Sequence, residues 1–221
     1  MTDFRNVKIK ICCISSIKEA ALAVSYGADA LGFVSKMPSG PGVISDEKII
    51  EIIKTVPPST DKFLLTSETQ SDKIIEQQKK FGPDTLQLVD EVNTEVYNDL
   101  KKELPGIRIV QVVHVRDEDS IGYSERISKF VDAILLDSGN PDLSIKELGG
   151  TGKVHDWNLS RKICETVNIP VYLAGGLNSG NVQEAIRTVR PYAVDLCSGV
   201  RTDGKLDESK LKNFINAVRD I

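Results

Sequence analysis

Two side chains in this chain combine reactivity with a suggestive position. Cys12 closes the apolar run VKIKICC, and Asp137 closes VDAILLD. A thiol is a general base only as its thiolate, so its pKa has to fall from about 8.5 toward neutrality. A carboxyl that serves as an acid must instead be held protonated by burial or crowding. Such a pair can move protons on opposite sides of a sugar carbon. The plainer alternative makes Cys12 a small core residue and Asp137 a loop cap. A second set is built from small residues: Gly175-Gly176 in VYLAGGLNSGNV, Ser198-Gly199 in DLCSGV, and Gly150 and Gly152 in GGTGK. Bare backbone lets a phosphate approach its N–H groups, and the Ser198 hydroxyl adds a donor. One glycine pair alone reads as a tight turn. Two pairs at consecutive strand ends, with a third cluster able to close from the preceding loop, point to phosphate. The two histidines, His114 and His155, have no carboxylate in step, so no metal site is expected.

The elements that must position these residues alternate along the whole chain. Eight short runs rich in Val, Ile or Leu read as strands, ending at VKIKICC, ADALGFV, KFLLT, DTLQLV, IRIVQVV, VDAILLD, IPVYLAG and AVDLCSG. Helical patterns separate them. In IKEAALAVSYG, Ile17, Ala20, Ala21 and Val24 fall on one face and Gly27 supplies the stop. SDEKIIEIIKTVPP opens on Ser45 as a cap and ends at Pro57-Pro58. DESKLKNFINAV gathers Leu211, Phe214, Ile215 and Val218. Strands that are nearly continuous apolar runs are expected where a parallel sheet is covered on both faces. A chain of 221 residues is therefore expected to form one α/β domain over 1–221, a (β/α)₈ TIM barrel of parallel strands. A doubly wound sheet is the runner-up, because local patterns cannot count strands around a closed ring. In a barrel, residues just past the strand ends share one cavity, and the loops after the seventh and eighth strands often make a phosphate site. The long irregular stretch DSGNPDLSIKELGGTGKVHDW follows the sixth strand, at that same end.

Composition narrows the partners. A net charge of −4 gives no basic footprint for nucleic acid, and no apolar run is long enough to span a bilayer. The four cysteines lack zinc or disulfide spacing, and Cys13 and Cys164 read as packing residues. With no secretory signal pattern at the N-terminus, a cytoplasmic protein is the expectation.

Taken together, the segments VKIKICCIS, GADALGFV, LQLV, ILLDS, GGTGKVHDW, LAGGLNSGNVQEAI and RPYAVDLCSGV resemble the phosphoribosylanthranilate isomerase family of tryptophan biosynthesis. The resemblance implies a (β/α)₈ barrel and an Amadori rearrangement of a small phosphorylated sugar-arylamine, without cofactor, by a monomer or homodimer. It implies that Asp137 is the general acid and Cys12 the general base. It also marks departures. The family has Gly where Cys13 stands, His where Val89 stands in LQLVDE, and an arginine near Pro41 or Gly42 in MPSGPGVIS. Its SSGVE appears as CSGVR, so Arg201 reverses a charge. Lys36, Val89 and Arg201 are thus the expected substrate-binding positions, with Lys36 a substitute for the missing arginine. A relative acting on another phosphorylated aminosugar, or a phosphosugar binder without turnover, stands as the alternative.

Overall fold

The computed structural model describes residues 7–139, 146, 148 and 154–221. Eight parallel strands close into a barrel: β1 (Lys8–Ile11), β2 (Ala30–Val34), β3 (Asp61–Thr66), β4 (Thr85–Leu88), β5 (Arg108–His114), β6 (Ala133–Asp137), β7 (Val171–Leu173) and β8 (Ala193–Leu196). Closure is made by β8 pairing with β1, with Lys8 opposite Ala193 and Ile11 opposite Leu196. That single pairing removes the doubly wound alternative, whose sheet would have kept two free edges.

Helices follow the strands in turn: α1 (Ile17–Ser25), α2 (Asp46–Ile53), α3 (Ser71–Phe81), α4 (Thr94–Glu103), α5 (Asp119–Ile127), α6 (Trp157–Thr166), α7 (Val182–Val189) and α8 (Glu208–Arg219). Their starts have local causes. Ser16, Ser45 and Asp207 accept backbone N–H groups from Glu19, Lys48 and Lys210, each cap worth about 1 kcal/mol. The stop of α3 is Gly82, in the left-handed conformation. Among the described residues no helix is long and apolar enough to cross a membrane.

Because strand side chains alternate, every strand feeds two layers. One set of residues, including Ile9, Leu31, Leu64, Ile109, Ile134 and Val194, packs outward against the helices. The other, including Ala30, Phe63, Val110, Leu135, Tyr172 and Ala193, fills the barrel's interior. One feature has no counterpart in the sequence reading. After β8 a short 3₁₀ turn (Ser198–Val200) leads into a two-stranded hairpin, β9 (Arg201–Thr202) and β10 (Lys205–Leu206), turned by Asp203 and Gly204 at positive φ.

Candidate active site

Two-residue periodicity places Lys10 and Cys12 on the same side of β1, and Asp195 and Cys197 on the same side of β8. At the C-terminal rim these inward positions meet a cavity with about 720 Å³ of empty space. Cys12 and Asp137 both line it, from walls separated by β7 and β8. Cys12 and Asp137 are only 5% and 8% exposed, so both reactive groups are shielded from bulk water yet face the same void. Asp137 is oriented by its own backbone neighbour, its Oδ1 accepting the Ser138 N–H at 2.7 Å.

One wall of the cavity is built from glycine backbone. Gly175 and Gly176 line it with φ of 81° and 64°, a left-handed pair that residues with a Cβ enter only at a cost. Asn181 fixes this turn by donating from Nδ2 to the Gly176 carbonyl at 3.0 Å. Ser198 lines the same wall. Gly199 is one step removed and serves close approach, since a Cβ there would lie 2.0 Å from the Leu177 carbonyl oxygen. Gly150 and Gly152 lie outside the described residues.

Below the thiol sits an ion pair that reading by local pattern passes over. The Lys10 ammonium, fully buried, bonds to Asp195 Oδ1 at 2.9 Å. Burial alone would push its pKa down, but the Asp195 carboxylate, aided by Cys12, raises it above the ordinary lysine value. A Cβ on Gly32 would come within 2.8 Å of Cys12 Sγ and 3.2 Å of Lys10 Nζ, so thiol and ammonium crowd one point. The signal available in the sequence was the alternation in VKIKICC, which puts Lys10 two residues before Cys12.

The far end of the cavity is apolar. Val89, Met37, Pro41 and Leu148 line it, and no Lys or Arg does so among the described residues. Lys36 is exposed and outside this lining, its carbonyl accepting from the Ser67 hydroxyl at 3.1 Å. Arg201 also lies outside the lining and is engaged elsewhere. It donates to the carbonyls of Cys12 and Cys13 and pairs with Glu19 at 3.1 Å. Burial would lower the Arg201 pKa, and Glu19 with Cys197 more than reverses that. An ion pair outside the lining joins Lys146 to Asp90, with the Lys146 carbonyl accepting from the Ser39 hydroxyl. His114, the last residue of β5 and the register partner of Asp137, is buried with Nε2 3.2 Å from the Val89 carbonyl oxygen, and burial holds its pKa below the usual range.

Comparison with known proteins agrees with the barrel fold. The family model described as N-(5'phosphoribosyl)anthranilate (PRA) isomerase matches residues 9–217. N-(5'-phosphoribosyl)anthranilate isomerase of Methanosarcina acetivorans is 37% identical, with 97% of this chain and 94% of that protein covered. The crystal structure of phosphoribosyl anthranilate isomerase from Thermotoga maritima superposes with a TM-score of 0.83 at 32% identity, covering 97% of this chain and 100% of that one. A phosphoribosyl anthranilate isomerase in complex with reduced 1-(o-carboxyphenylamino)-1-deoxyribulose 5-phosphate does so at 0.81 and 29% identity, over 97% and 100% of the two chains. A closed barrel, a thiol facing a carboxyl across its mouth, and a family match over nearly the whole length lead to one assignment: the chain belongs to the N-(5'-phosphoribosyl)anthranilate isomerase family.

Proposed function

We propose that the chain converts N-(5'-phosphoribosyl)anthranilate to 1-(2-carboxyphenylamino)-1-deoxyribulose 5-phosphate. The observation that carries this reading is that Cys12 and Asp137 face one cavity whose wall also presents Gly175, Gly176 and Ser198. The phosphate docks against that backbone and the Ser198 hydroxyl, which holds the ribose between the two reactive groups. Asp137, protonated, delivers its proton to the furanose ring oxygen as the C1–O bond breaks. The anilino nitrogen supplies the electron pair and becomes a protonated Schiff base. Cys12, as thiolate, removes the proton on C2, and the C–H electrons flow to the iminium nitrogen, giving an enolamine. Tautomerisation to the ketone completes an isomerisation in which no atom is gained or lost. Each proton transfer by a positioned group contributes roughly 10²- to 10⁴-fold, and anchoring of the remote phosphate supplies orientation.

The test is direct. Phosphoribosylanthranilate is generated in situ and its fluorescence followed with the purified protein. Decay well above the uncatalysed rate is expected; decay at the uncatalysed rate, with a phosphorylated product analogue still bound, refutes the reading.

One observation favours a second substrate. With Val89, Met37 and Pro41 at the aryl end, no cation among the described lining residues meets an anthranilate carboxylate. An unpaired carboxylate in a dry pocket costs several kcal/mol. A phosphorylated aminosugar lacking that group fits the same acid, base and phosphate wall. Comparing kcat/KM for phosphoribosylanthranilate and for the phosphoribosyl adduct of aniline separates the two. A large preference for the anthranilate compound supports the first, and a preference for the aniline compound the second.

A further inference from the structure

Three thiols converge at the seam where β8 meets β1, and the reaction above uses one of them. Ile11 and Leu196 are register partners, and the Cys12 N–H donates to the Leu196 carbonyl at 2.9 Å. The residues that follow each strand therefore run side by side. Cys12, Cys13 and Cys197 line one cavity there, and the Cys13 thiol donates to the Pro41 carbonyl oxygen at 3.8 Å. Cys197 is partly exposed and lines the cavity, so a small solute reaches it.

We propose that Cys197 is an oxidant-reactive thiol and that Cys13 resolves its oxidation to a disulfide across the β1–β8 seam. The placement of Cys13 carries a local cost. Its φ is 63°, in the left-handed region, where a residue with a Cβ is disfavoured by about 1–2 kcal/mol. The neighbouring loop makes room for its side chain, since a Cβ on Gly42 would come 2.5 Å from Cys13 Cβ and 2.8 Å from its Sγ. By the register Cys12 stands opposite Cys197, and Cys13, one residue on, is the diagonal neighbour; about 4.8 Å across the seam and about 3.3 Å along it give a Cα separation of roughly 6 Å, inside the roughly 4.4–6.8 Å span of a disulfide. Joining Cys12 to Cys13 would instead close a strained ring around one peptide bond.

The electrostatics give the two sulfurs different tasks. The Cys197 pKa is lowered, first by the hydrogen bond from Cys13 and then, against burial, by the Arg201 guanidinium. Cys13 is pushed well above the usual thiol range by its bonds to Cys12 and Cys197, together with burial. Cys197 is thus the nucleophile and Cys13 the proton-bearing partner. With hydrogen peroxide as oxidant, the Cys197 thiolate attacks one peroxide oxygen. The O–O bond breaks, sulfur becomes a sulfenic acid, and the departing hydroxide takes up a proton to leave as water. Conversion of Cys197 to a neutral sulfenic acid removes one of the charges that kept Cys13 protonated. The Cys13 sulfur then attacks Cys197, its proton goes to the sulfenic hydroxyl, and a second water leaves as the S–S bond forms. In total, two thiols and one hydrogen peroxide give a disulfide and two waters.

The experiment needs no turnover assay, so its outcome is independent of the isomerase reading. The reduced full-length protein is treated with hydrogen peroxide, alkylated, digested and mapped by mass spectrometry. A Cys13–Cys197 linked peptide lighter by two hydrogens, restored to free thiols by dithiothreitol, is the expected result. In Cys13→Gly, which removes the left-handed Cβ, dimedone should label Cys197 and no disulfide should form. Without oxidant, iodoacetamide should alkylate Cys197 at least about tenfold faster than Cys164, whose thiol burial pushes up to about 12. A disulfide through Cys12, a Cys197 left as free thiol after peroxide, or equal alkylation of Cys197 and Cys164 would overturn the proposal.

Discussion

The two faces of the barrel wall have opposite chemistry. The outward face, packed under the helices, is built from Ile, Leu and Val, as in Ile9, Ile109 and Ile134. The inward face, one residue away along each strand, carries Lys10, Thr85, Gln87, Asp137 and Asp195 among apolar residues that include Phe63 and Tyr172. The outward layer repeats one interaction and tolerates exchange among residues of like volume. The inward layer is specified atom by atom, because each polar group there needs a partner or a substrate. Stability and function thus come from alternate residues of the same short segments.

Substitutions on the two faces should therefore separate activity from stability. The largest effect on rate is expected from Asp137→Asn and Cys12→Ser, each cutting kcat by roughly 10²- to 10⁴-fold. Neither should shift the thermal midpoint by much, and steady-state kinetics with calorimetry reads both. An unfolded variant would erase the contrast. Next comes Lys10→Met, which leaves Asp195 buried and unpaired beneath the thiol. Loss of one partner from a buried pair costs about 3–5 kcal/mol, measured by urea unfolding. Combining it with Asp195→Leu should restore most of the stability and none of the activity. On the outward face, Ile134→Ala should cost about 2–5 kcal/mol in the same assay while leaving KM unchanged.

The smallest effect concerns the rim and has a defined pH dependence. Burial would raise the Glu19 pKa, but the Leu206 and Ser15 N–H groups and Arg201 lower it below the ordinary value. A depressed carboxylate pKa adds stability that is fully present above the unfolded value, about 4.3. That contribution is lost as pH falls through the folded value. The midpoint difference between the wild type and Glu19→Gln should be largest near neutrality and vanish in acid; a difference that persists in acid would remove the role assigned to this carboxylate.

Much of this architecture is readable from local pattern. The eight apolar runs are the eight strands, and the helix starts at Ser16, Ser45 and Asp207 follow from capping chemistry. What escapes is whatever depends on closure. Lys10 looks like the solvent-facing half of an alternating strand until β8 arrives beside it and supplies Asp195. The thiol cluster is hidden for the same reason, since Cys13 and Cys197 are far apart in sequence and adjacent only across the seam. The β9–β10 hairpin escapes because two-residue strands carry no period. Lys36 illustrates the opposite error of proximity: a cation near the right loop in sequence sits outside the cavity in space.

The seam also fixes when the molecule can begin to work. Lys10 and Asp195 are separated by 185 positions, so the ion pair under the thiol cannot form until nearly the whole polypeptide has left the ribosome. A nascent chain holding its first six strands already carries Cys12 and Asp137, yet lacks β7 and β8 and with them a closed barrel. Competence therefore arrives late and all at once, and a ribosome stalled a few dozen codons early releases a product with no partial catalysis to offer.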